Sequence, residues 1–348
     1  MLPERQKLVL KEIVDRYIRE REPVSSRMIL EDYGLAVSSA TVRNDMSALE
    51  VAGYVDKPHS SSGRIPTKLG YRFFVDWLLD LSELSRNERL DLVETRDMRC
   101  LEVGETLRQT AFLLGNVTGY VGFVVPPALE ETHLERVALA RMDPGLALLV
   151  IVSDVGIVQH GLVPLEQDLS EEDVQRVTRA INENLRGVSL DEVRKLSLDQ
   201  GGEGWHDRPV RAALDVLHRL LDRRAYRRLY VEGISNLVGD LEKVVPEEAM
   251  GQLVRLIHAV QDEDSFIEGI REARQGRHGL VINVGDCPLP NLSEYSVVTS
   301  DVRPHSGIVG VIAPLWMDYG RAFSATTYVA NRLEGILTAS LARKDVEA

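Results

Sequence analysis

The sequence predicts an α+β multidomain protein that begins with a winged helix-turn-helix. Three observations predict it. The 348-residue chain is longer than one hydrophobic core usually serves, which favours two or three domains. Residues 1–75 read as three helices and a two-stranded wing, and the remainder alternates short apolar runs with amphipathic stretches. Charge divides the same way: residues 1–75 hold 12 Lys and Arg against 10 Asp and Glu, and the rest holds 29 against 44. The net charge of −13 therefore belongs to the body. Repulsion between that body and DNA is screened beyond about 8 Å at physiological salt, which leaves contact to the basic tip.

Leu10, Ile13, Val14, Tyr17 and Ile18 form the stripe of a first helix, which Pro23 stops. Ser25 or Ser26 is placed to cap a short second helix over Met28, Ile29 and Leu30, ending at Gly34. Ser38 and Ser39 then cap a third, which runs from Ala40 to a stop at Gly53. At 100° per residue Val42, Met46 and Leu49 fall on one side, and Ala40, Arg43, Asn44 and Ser47 on the other. The second face suits a major groove, because short side chains allow close approach while Arg and Asn make bidentate contacts to guanine and adenine. Alone, that face is equally that of a solvated helix.

The following residues favour DNA. Tyr54-Val55 and Arg64-Ile65 read as the strands of a wing whose tip offers His59, Ser60, Ser61 and Ser62, and Gly63 permits close backbone approach. A fourth helix carries Phe74, Trp77, Leu78 and Leu81 at helical spacing, a stripe read as core, with Tyr71 and Arg72 near its start. The candidate DNA-binding set is Ser39, Ala40, Thr41, Arg43, Asn44, Ser47, His59, Ser60, Ser61, Arg64, Thr67, Tyr71 and Arg72.

Leu84 to Leu114 reads as a charged helical connection, and Gly119 to Val125 as a buried strand. Leu134 to Arg141, Leu146 to Val152 and Ile157 to Val163 form an antiparallel meander, followed by helices at 170–185 and 209–224. Two further helices come next, then strands at 280–284, 297–302 and 308–312, and a helix from Tyr319.

Two cysteines, Cys100 and Cys287, give no disulfide framework, and no histidine pair has helical metal-ligand spacing, so no metal and no cofactor is expected. The charged first residues and the absence of a long apolar run predict a cytoplasmic protein with no membrane association. No Gly-x-Ser-x-Gly elbow or Walker loop occurs, and the carboxylates Asp240, Glu242, Glu247 and Glu248 fall on a predicted loop and helix start, so an enzyme is not expected.

Several segments resemble the heat-inducible repressor family HrcA. They are Pro23-Val24-Ser25-Ser26-Arg27, Val37 to Met46 with Leu49-Glu50, and Lys57 to Thr67 with Gly70-Tyr71-Arg72. Thinner matches follow at Leu229 to Gly233, Ser235-Asn236-Leu237 and Met317 to Gly320. The family usually has Gly at Ser25, Ala at Ser62, and Pro-Thr-Arg where this chain has Pro314-Leu315-Trp316. Trp316 is then either an interface residue or a packed loop residue.

The resemblance implies a body made of a GAF-like domain interrupted by an inserted dimerisation domain. The implied division is 1–75 for the winged helix, 76–131 and 226–348 for a linker helix and the GAF-like domain, and 132–225 for the insert. It also implies a homodimer that binds double-stranded DNA at the inverted-repeat operator CIRCE, upstream of heat-shock chaperone genes, with the chaperonin GroEL modulating activity. A ligand-gated regulator is the alternative that a GAF-like fold suggests, though fold alone says little about function.

Overall fold

In the computed structural model, residues 2–33, 38–58, 63–79, 103–143, 145–165, 170–196, 207–222, 229–241, 246–289, 292–303 and 307–342 are described. Helix α1 (Glu4–Glu20) buries Val9, Leu10, Ile13 and Val14. It ends at Arg21 in the left-handed conformation, φ 59°, with the Arg21 N–H donating to the Tyr17 carbonyl. Helix α2 (Ser26–Tyr33) starts where the Ser25 hydroxyl accepts from the Met28 N–H. Helix α3 (Ser39–Val51) is capped by Ser38, whose hydroxyl accepts from the Thr41 N–H.

The wing strands β1 (Val55–Asp56) and β2 (Ile65–Pro66) pair antiparallel, and Val24 bridges to Arg64 beside them. Helix α4 (Lys68–Phe73) follows and widens into a π-type turn over Phe74–Leu78. That turn corrects the expected core stripe. Phe74 is buried, but the wider turn shifts the register and leaves Trp77 69% exposed. Leu81, Gly34 and the connection over 80–102 lie outside the described residues.

The large sheet is antiparallel throughout, in the order β7-β3-β10-β9-β8. Its strands are β3 (Val121–Val125), β7 (Tyr230–Glu232), β8 (Leu280–Val284), β9 (Tyr295–Val302) and β10 (Gly307–Pro314). Successive side chains serve opposite faces. Val124 and Val309 pack with Leu107 and Ala111 of α5 (Val103–Thr118) and Ala330 and Leu333 of α12 (Tyr319–Ala342). On the other face Phe123 meets Phe266 edge to face at 5.4 Å. Phe266 belongs to α11 (Glu263–Arg274), which follows α9 (Asn236–Leu241) and α10 (Pro246–Gln261).

Between β3 and β7 the chain builds a second core. The meander β4 (Leu134–Asp143), β5 (Leu146–Ser153) and β6 (Val158–Pro164) forms a sheet in that order. Helices α6 (Glu171–Leu185), α7 (Leu190–Lys195) and α8 (Arg208–Leu220) cover one face, where Val137, Leu149, Ile151 and Val163 meet Val177, Ile181, Leu214 and Leu217. The Asn182 side chain accepts from the Val137 N–H at 2.8 Å and donates to its carbonyl at 2.7 Å. It thereby satisfies both backbone groups of Val137 on β4, which discourages further strand pairing at that point.

Helix α5 crosses β3 with backbone against backbone. A Cβ at Gly122 would lie 2.3 Å from the Ala111 carbonyl oxygen and 2.7 Å from the Gly115 nitrogen. Gly122→Ala is expected to destabilise the protein by about 1–3 kcal/mol through overpacking. Gly335→Ala, at an exposed α12 position with nothing within 4 Å, is expected to stabilise it by up to about 1 kcal/mol. Urea denaturation of both variants checks the opposite signs.

Candidate nucleic-acid interface

Helix α3 is held from below. Val42, Met46 and Leu49 are buried, and the one charged residue on that side, Asp45, is buried with them. Arg5 of α1 answers it with a fork: Nε donates to Oδ2 at 2.6 Å and Nη2 to Oδ1 at 3.1 Å. Two parallel charge-assisted bonds fix direction as well as distance, so they set the rotation of α3 about its own axis. On the opposite side Ala40, Arg43, Asn44 and Ser47 are all exposed.

Arg43 is steadied without being consumed. Its Nε donates to Ser26 Oγ at 3.3 Å, and Ser26 Oγ lies 3.3 Å from Ser39 Oγ, so one polar chain links α2 to the first turn of α3. The Thr41 hydroxyl is 3.0 Å from Ser38 Oγ, which draws it into the cap. Of the proposed helix residues, four therefore share one exposed face, while Ser39 and Thr41 organise its N-terminal end.

The wing and the fourth helix divide differently. His59, Ser60 and Ser61 lie outside the described residues, as does Ser62. A Cβ at Gly63 would sit 2.3 Å from the Val24 carbonyl oxygen, so the close approach this glycine allows is to the chain's own backbone. There the Val24 N–H donates to the Arg64 carbonyl at 2.9 Å and the Arg64 N–H to the Val24 carbonyl at 2.8 Å. The Arg64 side chain, 14% exposed, is turned back to Glu50, with Nη2 2.6 Å from Oε2. It braces the wing against the last turn of α3.

The structure turns Thr67, Tyr71 and Arg72 towards the protein as well. The Thr67 hydroxyl donates to the Gly53 carbonyl at 2.6 Å and caps α4 by accepting from the Gly70 N–H. Tyr71 is buried, its ring centroid 6.3 Å from that of Tyr319, and burial pushes its hydroxyl pKa well up. Arg72 is ion-paired with Asp286, and Lys68 Nζ lies 2.8 Å from the same carboxylate and donates to the Gly285 carbonyl at 2.7 Å. Tyr71, Lys68 and Arg72 thus join the winged helix to the large-sheet domain, while Thr67 bonds within the winged helix. Trp316 shares the joint: its carbonyl accepts from Arg21 Nη1 at 2.6 Å, and the Arg21 guanidinium carbon lies 5.9 Å from the indole centroid.

Sequence reasoning missed this seam because its partners lie more than 200 residues apart. A small signal was present in Asp286, a carboxylate next to Gly285 with no cation near it in sequence. Of the two cysteines, Cys287 is buried, which pushes its thiol up to about 12 and keeps it protonated at neutral pH. Cys100 lies outside the described residues.

Comparison with known proteins fits the helix-and-wing geometry. Residues 1–76 match the family described as the winged helix-turn-helix transcription repressor, HrcA DNA-binding. Residues 104–323 match the HrcA protein C-terminal domain. The chain belongs to the HrcA family of heat-inducible transcription repressors. Relatives carrying that name include those of Desulforamulus reducens, 29% identical, and Syntrophobacter fumaroxidans, 32% identical, each matched over 97% of both chains. A crystal structure described as that of a hypothetical protein superposes with a TM-score of 0.70 at 26% identity, over 97% of this chain and 99% of that one. HrcA proteins are DNA-binding repressors, a non-enzymatic family. Among the described residues no helix is long and apolar enough to cross a membrane.

Because Glu50 engages Arg64, Arg64→Ala is expected to loosen the wing and weaken binding to operator and random duplexes by similar factors. The salt dependence of binding should stay unchanged. A slope shallower by about 0.9 per lost phosphate contact would show instead that Arg64 reaches the backbone of the DNA.

Proposed function

We propose that this HrcA-family repressor acts as a homodimer that silences heat-shock chaperone genes by reading the two halves of the CIRCE inverted repeat. The observation that carries this reading is the two-sided α3, locked to α1 by the Arg5–Asp45 fork and presenting Ala40, Arg43, Asn44 and Ser47 outward. Inserted in a major groove, Arg43 would meet guanine and Asn44 adenine, with the small residues allowing the helix to approach. His59, Ser60 and Ser61 of the wing tip would take backbone phosphates or the minor groove.

An inverted repeat calls for two-fold symmetry in the protein. The three-stranded sheet supports that demand. Its face away from α6 and α8 carries Ala138 and Ala140 of β4 and Val158 and Leu162 of β6, all exposed, with Leu148 and Val150 of β5 half-buried between them; the exposed Arg136 and His160 share that face, and Met142 lies at the irregular end of β4. Met142 is 57% and Leu162 55% exposed. A largely apolar face edged by Arg136 and His160, on a sheet whose other face already packs a full core, suits a second copy of the chain.

On this reading residues 132–225 are the dimerisation domain, inserted into a GAF-like domain of residues 76–131 (with the linker helix) and 226–348. Family membership supports the remainder: an operator upstream of chaperone genes, a cytoplasmic setting, and activity modulated by the chaperonin GroEL.

Two variants test the reading. Arg43→Ala is expected to weaken binding to a CIRCE duplex by about 1–3 kcal/mol with little effect on random DNA. Equal losses on both would move Arg43 to a phosphate. Leu162→Glu is expected to give a folded monomer in sedimentation equilibrium, with operator affinity reduced towards that of a single half-site. A variant that sediments as a dimer would remove this sheet face from the dimer contact.

A further inference from the structure

A cleft of about 430 Å³ opens where the C-terminal end of α11 meets the turn after β9, on the large-sheet domain. Its walls are basic in a protein whose body is acidic. Residues 76–348 hold 29 Lys and Arg against 44 Asp and Glu, yet Arg271, Arg274, Arg277 and Arg303 gather here against only Glu131 and Asp301.

One pair belongs to the wall. Arg274 is 5% exposed and donates to Thr299 Oγ1 and the Gly279 carbonyl, each at 2.6 Å, and to Asp301 Oδ1 at 2.5 Å. The second Asp301 oxygen accepts from the Gly279 N–H at 2.9 Å. Asp301 is therefore already committed, which leaves Glu131 as the other carboxylate among the described lining residues; Arg271 Nη2 also donates to the Pro126 carbonyl at 3.5 Å. Arg277 and Arg303 are exposed and form no ion pair among the described residues.

Ordinary helix electrostatics does not account for the group. Basic residues in a last helical turn complement the macrodipole, which explains Arg271 and Arg274. Arg277 lies beyond the helix end, and Arg303 arrives from a different segment. Every basic residue of permanent charge here is Arg, the side chain whose planar fork matches an oxyanion bidentately. Buried Val302 and Ile308 form an apolar floor that would exclude water from one side of a bound group.

We propose that this cleft is a binding site for a small anion of the phosphate or polyphosphate class, held by Arg271, Arg277 and Arg303 on the rigid wall formed by Arg274 and Asp301. The site is separate from the DNA-reading face of α3 and needs no residue of it.

Calorimetric titration of the full-length protein with pyrophosphate, at fixed ionic strength, tests the proposal. One saturable site per chain is expected. Arg277→Ala and Arg303→Ala, both at exposed positions where folding is not at stake, should each weaken it about tenfold or more, the scale of losing a hydrogen bond to a charged group. Arg43→Ala should leave it intact. Absence of saturable binding would overturn the proposal, as would undiminished binding by the two cleft variants. Loss of random-duplex affinity in Arg303→Ala, with pyrophosphate binding unchanged, would also overturn it by assigning the cleft to DNA.

Discussion

The Arg5–Asp45 fork is the contact that sets how α3 sits in the winged helix. A recognition helix needs one face fixed and the other clear, and apolar packing alone fixes the first only loosely, because Val, Met and Leu tolerate small rotations of a helix. A buried carboxylate does not. Asp45 is buried, where an unpaired charge would be costly, so the fork favours the rotation of α3 that delivers Asp45 to Arg5. That rotation also turns Arg43 and Asn44 outward. Wing and helix are then joined by the ion pair of Arg64 with Glu50.

The second constraint is the seam between this unit and the large-sheet domain. Tyr71 and Phe74 pack on Tyr319, with ring centroids 6.3 and 6.4 Å apart. Aromatic pairs of this kind contribute about 0.5–1.5 kcal/mol each beyond the area they bury. The Lys68 and Arg72 pairs with Asp286 are partly solvated, and such pairs contribute about 0–1 kcal/mol. Apolar burial therefore supplies most of the holding force, and the ion pairs mainly choose the orientation. Trp316 belongs to the same set of contacts: its indole and carbonyl take the guanidinium of Arg21 at the end of α1. Within its own chain Trp316 thus packs as a loop residue against Arg21.

Local structure was legible wherever one face of an element was apolar. The stripe of α1, the split of α3 into Val42, Met46 and Leu49 against Arg43, Asn44 and Ser47, and the meander at 134–164 all follow from periods of 3.6 and 2, and each appears within a few residues of its expected bounds. The short helix α7 escaped notice because six residues carry too little periodicity. Tertiary partners were not legible. Arg64, Thr67, Tyr71 and Arg72 are residue types equally suited to phosphates and to buried polar joints, and sequence spacing does not distinguish Glu50 or Asp286 from a phosphate as the partner. Trp77 was misplaced for a different reason: the π-type turn at Phe74–Leu78 breaks the 3.6 period on which the stripe was read.

The most direct test of the account is equilibrium binding of the purified full-length protein to a duplex carrying the CIRCE inverted repeat, against a scrambled duplex of equal length and composition, across a salt series. Tight, salt-sensitive binding of one dimer to the repeat is expected, with a preference of about a thousandfold or more over the scrambled duplex. Weak and equal binding to both, by protein shown to be folded and dimeric, would contradict it.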